Sequence, residues 1–337
     1  MLRRIRICRG DSMTNRHLVF AVAAILVSSA SLQAQSDPCL RRTIAVNLFD
    51  HDKQIDSEIS PDNFQASMPH EKITVLSVTA SRPSRMVIVL DASGSMTSDK
   101  SDWNSYIDNA KELAKGLAAG TQVGLIVFST QVDTTVPLTS DREIMARELE
   151  TVRSAVSSAG KRTEKAALWD AVGNAIGLFG TVAVGDTLYV MSVGKDDVSR
   201  LHPEDFEPYT NMLRIFAWSP HQMPLGAHPH DDRLWQLAHE SGGSVVDFMF
   251  IPLMGVYVDP GHASSASEVL YRTGMQFRRI ASYYRVELEF QHPFDKKTEW
   301  NLRASIKEGS HVHFLGVWYP KLLLPCKNQN APAKGPA

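Results

Sequence analysis

Apolar residues along this chain follow two rhythms. In the middle, short apolar runs recur: Met86–Leu90 (MVIVL), Val123–Phe128 (VGLIVF), Thr187–Met191 (TLYVM) and Leu213–Trp218 (LRIFAW). Such runs fit strands buried on both faces. Helical patterns lie between them. Tyr106, Ile107, Ala110, Leu113, Ala114 and Leu117 share one face of a helix over Trp103–Leu117. Arg142–Val156 and Ala166–Phe179 read as further helices, and Val132–Leu138 as an edge strand or hairpin arm. Leu234–His239 is a short helix stopped by Gly242-Gly243, before a last strand at Ser244–Phe248. Strands alternating with helices predict an α/β fold: a doubly wound, mainly parallel, Rossmann-like sheet with helices on both faces.

The ends of the chain read differently. Arg42–Asp50 and Glu71–Thr79 are rich in β-branched residues with near period-2 alternation, joined by a polar, turn-rich connection over Ile55–Pro69. After a helix at Ser264–Ser282 come three more strands, Tyr283–Phe290, Glu299–Ile306 and His311–Trp318, alternating as one-face-wet strands do. The pattern divides the chain into an N-terminal β segment (35–82), an α/β unit (83–262), a helix and β segment (263–326) that packs with the first strands, and a Pro/Ala/Lys-rich tail (327–337) expected to be disordered. The flanking strands can form a small β-sandwich.

Residues 1–34 stand apart. Leu18–Ser28 is apolar and uncharged, follows Arg16-His17, and gives way to small residues ending at Ala34. That is the layout of a secretory signal, with a core too short for a comfortable membrane span. Met13 is an alternative start, and Ala30 an alternative cleavage point. The expected location is therefore secreted or periplasmic, with no membrane span after removal of the signal. The whole chain carries net charge −2. The leader holds five arginines and one aspartate, so its loss leaves a mature chain near −6. This balance gives no electrostatic drive toward nucleic acid. Export permits a bridge between Cys39 and Cys326, with two free thiols as the alternative.

The candidate chemistry sits at Asp91-Ala92-Ser93-Gly94-Ser95-Met96, directly after a buried strand. In open α/β sheets, ligands collect at the carboxyl ends of the strands. A tight turn at Gly94 can aim Asp91, Ser93 and Ser95 at one point. One carboxylate and two hydroxyls are hard oxygen donors suited to Mg²⁺, with Mn²⁺ or Ca²⁺ as substitutes. A site with few charges leaves the ion electrophilic, so an acidic group from a partner can complete its shell.

Over roughly Pro83–Phe250, strand and DASGSM motif resemble the von Willebrand factor A (VWFA) family and the first segment of its metal-ion-dependent adhesion site. The flanks, Val46-Asn47-Leu48-Phe49-Asp50 with Asp62-Asn63-Phe64 and Ser282-Tyr283-Tyr284-Arg285-Val286, resemble the bacterial VWFA-related group described from acidobacteria. The resemblance implies that leader and trailer strands pack together, an arrangement a Cys39–Cys326 bridge fits. Departures accompany the match. Where the family often reads G-G-T-A-L-x-D-A, this chain has Arg162-Thr163-Glu164-Lys165-Ala166-Ala167-Leu168-Trp169-Asp170-Ala171, with Ala166 at the coordinating threonine. Thr163 is the nearby substitute. Where the family usually reads T-D-G, this chain has Ser192-Val193-Gly194, followed by Asp196 and Asp197. The expected metal set is Asp91, Ser93, Ser95, Thr163 and Asp196, with Asp170 serving its local loop. If no ion binds, Ser93 and Ser95 cap neighbouring backbone.

Other features read as structure. His228-Pro229-His230-Asp231-Asp232, near His221, is a loop capping a helix rather than a zinc site. His311 and His313 share a solvent-facing strand surface. Trp169, Trp218 and Trp235 are core, and Lys161-Arg162 with Glu164-Lys165 is a solvated loop. No Walker loop, GxSxG elbow or HExxH pair occurs. The expected function is a non-enzymatic binding or adhesion module that engages a protein or cell-surface ligand. The alternatives are a hydrolase or phosphotransferase using Asp91 as nucleophile, and a structural envelope protein without metal.

Overall fold

A computed structural model describes residues 39–50, 55, 58–159, 162–219, 232–247, 266–308 and 310–325. The leader, the His221 and His228–Asp231 region, Cys326 and the C-terminal tail lie outside the described residues.

The buried apolar runs become the centre of a six-stranded sheet. Its order is β6 (Val132–Thr139), β5 (Gln122–Phe128), β4 (Arg85–Asp91), β7 (Thr187–Met191), β8 (Arg214–Ser219) and β9 (Val245–Asp247). All neighbours pair in parallel except β6, which runs antiparallel at the edge. Every residue of β7 and β8 is buried, as an all-apolar run between two helical layers requires. One face packs against α2 (Lys100–Gly116), α3 (Arg142–Ser158) and α6 (Ala266–Ala281), through Trp103, Ile107, Leu113, Met145, Leu149 and Ile280. The other packs against α4 (Leu168–Phe179) and α5 (Arg233–Glu240), through Leu168, Val172, Ile176, Leu234 and Leu237. The doubly wound, mainly parallel α/β sheet is the one the alternation predicts.

The flanking strands build a second, antiparallel sheet. Its order is β2 (Phe64–Ser67), β12 (Asn301–Glu308), β13 (His311–Trp318), β1 (Arg41–Phe49), β10 (Tyr283–Phe290) and β3 (Ile73–Ser81). The end strands β2 and β3 also touch each other, so the sheet curls around its own core of Ile44, Val46, Val286, Leu288, Leu302 and Leu315. A separate two-stranded pair joins β11 (Thr298–Glu299) and β14 (Leu322–Leu323). Leader and trailer strands therefore interleave: β1 lies between β10 and β13.

Several local expectations need correction. The polar connection Ile55–Pro69 contains strand β2, in which Phe64 pairs with Ala304 and is buried. Four residues with two apolar side chains carry too little alternation to be read from the pattern alone. Trp235 is only half-buried and stacks on His239, with ring centroids 3.7 Å apart, whereas Trp169 and Trp218 are core. His313 does not simply face solvent, because its Nε2 meets Asp50 Oδ1 at 2.6 Å. Asp232 supplies the cap at the start of α5, its Oδ1 accepting from Leu234 N and Trp235 N.

Candidate functional site

Strand β4 ends at Asp91, in the middle of the parallel sheet between β5 and β7. The chain then turns at Ala92-Ser93 into a single helical turn, α1 (Gly94–Thr97). Ala92 N donates to Phe128 O at the end of β5 (2.7 Å), which holds the turn on the sheet rim. Ser93 O accepts from Thr97 N and the Thr97 hydroxyl, closing α1.

Asp91 is fully buried, and both its oxygens are engaged. Oδ1 accepts from Ser93 N (2.9 Å) and Oδ2 from the Ser192 hydroxyl (2.7 Å). Burial pushes its carboxyl up, the bonds from Ser93 and Ser192 pull it down, and the charge of Asp197 adds to the rise. Above Asp91 the hydroxyls of Ser93 and Ser95 meet at 2.9 Å. Ser93 is buried and Ser95 exposed. Ser93 occupies the cap position of α1, but its side chain makes no capping bond, so both hydroxyls keep lone pairs for a ligand.

The second loop presses on this turn through its backbone. Gly94 N donates to Thr163 O at 2.6 Å. A Cβ on Gly94 would stand 2.6 Å from Arg162 O, so a glycine is required for this approach. The Thr163 hydroxyl accepts from Lys165 N (3.3 Å) within its own loop. Ala166 is buried, and its N donates to Asp197 Oδ2 (3.2 Å). Asp196 turns toward α4: its Oδ1 accepts from Ser199 Oγ (2.5 Å) and Trp169 N (3.4 Å). Asp170 serves its local loop, accepting from Arg200 N and Leu201 N. The structure thus brings Asp91, Ser93 and Ser95 together, sets Thr163 against the turn by its carbonyl, and directs Asp196 to the helix start.

Two residues outside the expected set belong to this rim. Ser192 follows β7, whose Met191 pairs with Leu90, and that register places Ser192 beside Asp91. The signal was available in the sequence as a hydroxyl directly after a buried strand. Arg162 is no mere solvated loop residue. Its Nη1 reaches back over the turn to Ala92 O (3.2 Å) and to Asp133 Oδ2 (3.4 Å). Spacing gave no hint of this, because the contact crosses 70 residues.

The donor set suits an ion held by two hydroxyls over a buried carboxylate. Mg²⁺ tolerates such a sparse protein shell because it keeps several waters. Among the described residues, no group of three or more His, Cys, Asp or Glu residues could hold a metal.

A mainly parallel sheet wrapped by helices on both faces, with oxygen donors at the end of a central strand, defines an α/β module of the Rossmann-like class. Residues 86–200 match the family model of the von Willebrand factor type A domain, and the chain carries such a domain. Domains of this family generally mediate protein–protein interaction or adhesion, and often bind a divalent metal at their adhesion site. No curated protein matches the chain. Among solved structures, it is similar to a von Willebrand factor type A protein from Catenulispora acidiphila, at 13% identity and TM-score 0.41, covering 81% of this chain and 75% of that one. It is similar to the conserved hypothetical protein BatB from Bacteroides thetaiotaomicron, at 17% identity and TM-score 0.37, covering 58% and 98%. It is also similar to the ArnB paralog VWA2 from Sulfolobus acidocaldarius, at 9% identity and TM-score 0.39, covering 77% and 76%. Among the described residues, no helix is long and apolar enough to cross a membrane.

Proposed function

We propose that this chain is an exported binding module whose VWFA domain (83–262) docks a protein or cell-surface ligand on the rim around Asp91, Ser93 and Ser95. The observation that carries this reading is the Ser93–Ser95 hydroxyl pair, 2.9 Å apart at the end of a central strand, with Ser95 open to solvent. Ser93 and Ser95 would hold a Mg²⁺ weakly, with Asp91 supplying negative charge beneath them. Thr163 and Asp196 join only if their loops move. When bound, the ion supplies a hard positive charge for an acidic group of the partner. Asp91 is a poor nucleophile here, because it is buried with both oxygens hydrogen-bonded.

Export is supported by Cys39, which is disulfide-bonded, since such bonds persist in oxidising compartments. Cys326 is the proposed partner: Arg42 Nη1 donates to Leu324 O, which sets residues three and two positions from the two cysteines side by side.

The test uses the mature chain. A non-reducing peptide map reads the Cys39 pairing. Fluorescence anisotropy then follows a labelled Glu/Asp-rich nonapeptide in Mg²⁺ and in EDTA. Binding is expected, with Ser95→Arg blocking it by filling the rim. Absence of binding in both buffers, or full binding by Ser95→Arg, refutes the docking face.

A further inference from the structure

In the antiparallel sheet the β12–β13 hairpin outruns its neighbour. Strand β1 pairs with β13 only at Gly316–Trp318, whereas β12 follows β13 out to His311. On the core side of the hairpin lie Leu302, Ala304, Ile306 and Leu315. On the outer side Ser305 pairs with Phe314 and Lys307 with Val312, and Arg303 shares their face two residues along the strand.

This outer face is apolar where a free sheet face is normally polar. Phe314 is 68% exposed and Val312 53%. Nearer the α/β unit the same face of β13 is covered. The guanidinium carbon of Arg279 lies 4.7 Å from the Trp318 ring and 5.0 Å from the ring of Phe49, the residue paired with Gly316. Beyond Gly316 that cover ends. Arg303 and Lys307 flank the uncovered pair, both are exposed, and among the described residues neither forms an ion pair. No residue on the outer faces of β12 and β13 is acidic, although the mature chain as a whole is near −6.

We propose that this face of the β12–β13 hairpin docks on an anionic phospholipid surface, with Phe314 and Val312 entering the headgroup layer and Arg303 and Lys307 meeting phosphate. The proposal is independent of the rim after β4. The sheet curls around its own core, so this face is convex. A convex face offers no pocket for a partner's anchor side chain, but lets two short apolar side chains dip into a bilayer while longer cationic ones reach its phosphates. A second copy of the chain is disfavoured, because a two-fold contact here would set Arg303 and Lys307 against their own copies.

The test is co-sedimentation of the mature chain with vesicles of phosphatidylglycerol and phosphatidylcholine in equal parts, against phosphatidylcholine alone. Binding is expected to the anionic vesicles and to weaken as salt is raised. Phe314→Ser lowers it about tenfold, and Lys307→Gln or Arg303→Gln about fivefold each. All three positions are exposed, and near-ultraviolet circular dichroism checks that each variant keeps the fold. Absence of binding to anionic vesicles overturns the proposal, as does binding that Phe314→Ser and Lys307→Gln leave unchanged. Binding of soluble polyglutamate that depends on Lys307 but not on Phe314 assigns the face to an acidic protein, and overturns the lipid reading too.

Discussion

Asp91 illustrates how one buried side chain couples position to pH. It was legible in the sequence as an acid at the end of an apolar strand, but its burial was not. Burial raises its carboxyl above the ordinary value, and the bonds from Ser93 and Ser192 only partly offset this. The folded state therefore holds the proton at a pH where the unfolded chain, near pKa 3.9, has released it. The unfolded state binds fewer protons in that window, so this residue's contribution to stability falls as pH rises from about 4 to the folded value, then levels off. Asp91→Asn removes that slope. In urea titrations, the stability of wild type minus that of the variant should decline with rising pH and then become flat. A difference independent of pH would show that Asp91 titrates alike in both states.

Elements hold the rim through their ends. Helix α3 starts at Asp141, whose Oδ1 accepts from Glu143 N (2.9 Å) and Ile144 N (3.2 Å). Its last turn, with Val156 and Ser157, lines a cleft shared with Gly94, Trp103 and Arg162 beside the turn after β4. Asp141 is exposed, so Asp141→Ala should cost about 1 kcal/mol, the worth of the cap, read from the urea midpoint at unchanged slope. Periodicity sufficed for β4, β5 and β7, which are unbroken apolar runs, and for α2, α3 and α4, which are long and strongly patterned. It failed at β2, a four-residue strand whose pairing with β12 depends on residues more than 230 positions away.

Across the whole molecule, Arg214 joins the two sheets. It opens β8, is fully buried, and donates to Asn47 Oδ1 on β1 (3.0 Å) and to Ile280 O at the end of α6 (3.2 Å), with Arg279 O as a third acceptor. The rings of Tyr283 and Phe216 lie 4.6 and 5.0 Å from its guanidinium carbon. Burial lowers its pKa to about 9, so it stays charged at neutral pH. Asn47 completes the clamp by donating to Arg279 O and Ser282 O. Arg214→Met keeps the volume but takes the donor from two buried acceptors, Asn47 Oδ1 and Ile280 O, while Arg279 O keeps its bond from Asn47 Nδ2. A loss of about 2 kcal/mol in unfolding free energy is expected. A variant as stable as wild type would show that the clamp contributes nothing.

The sequence alone determined the α/β layer, the antiparallel flanks and the turn after β4, because these follow from local periodicity and from a short run of residues acting together. Tertiary structure decided which side chains share the rim. Ser192 meets Asp91 through strand register, Arg162 crosses the turn through a close backbone approach, and Asp196 is drawn to the start of α4. Such contacts depend on where distant segments come to rest, and linear spacing carries no measure of that distance.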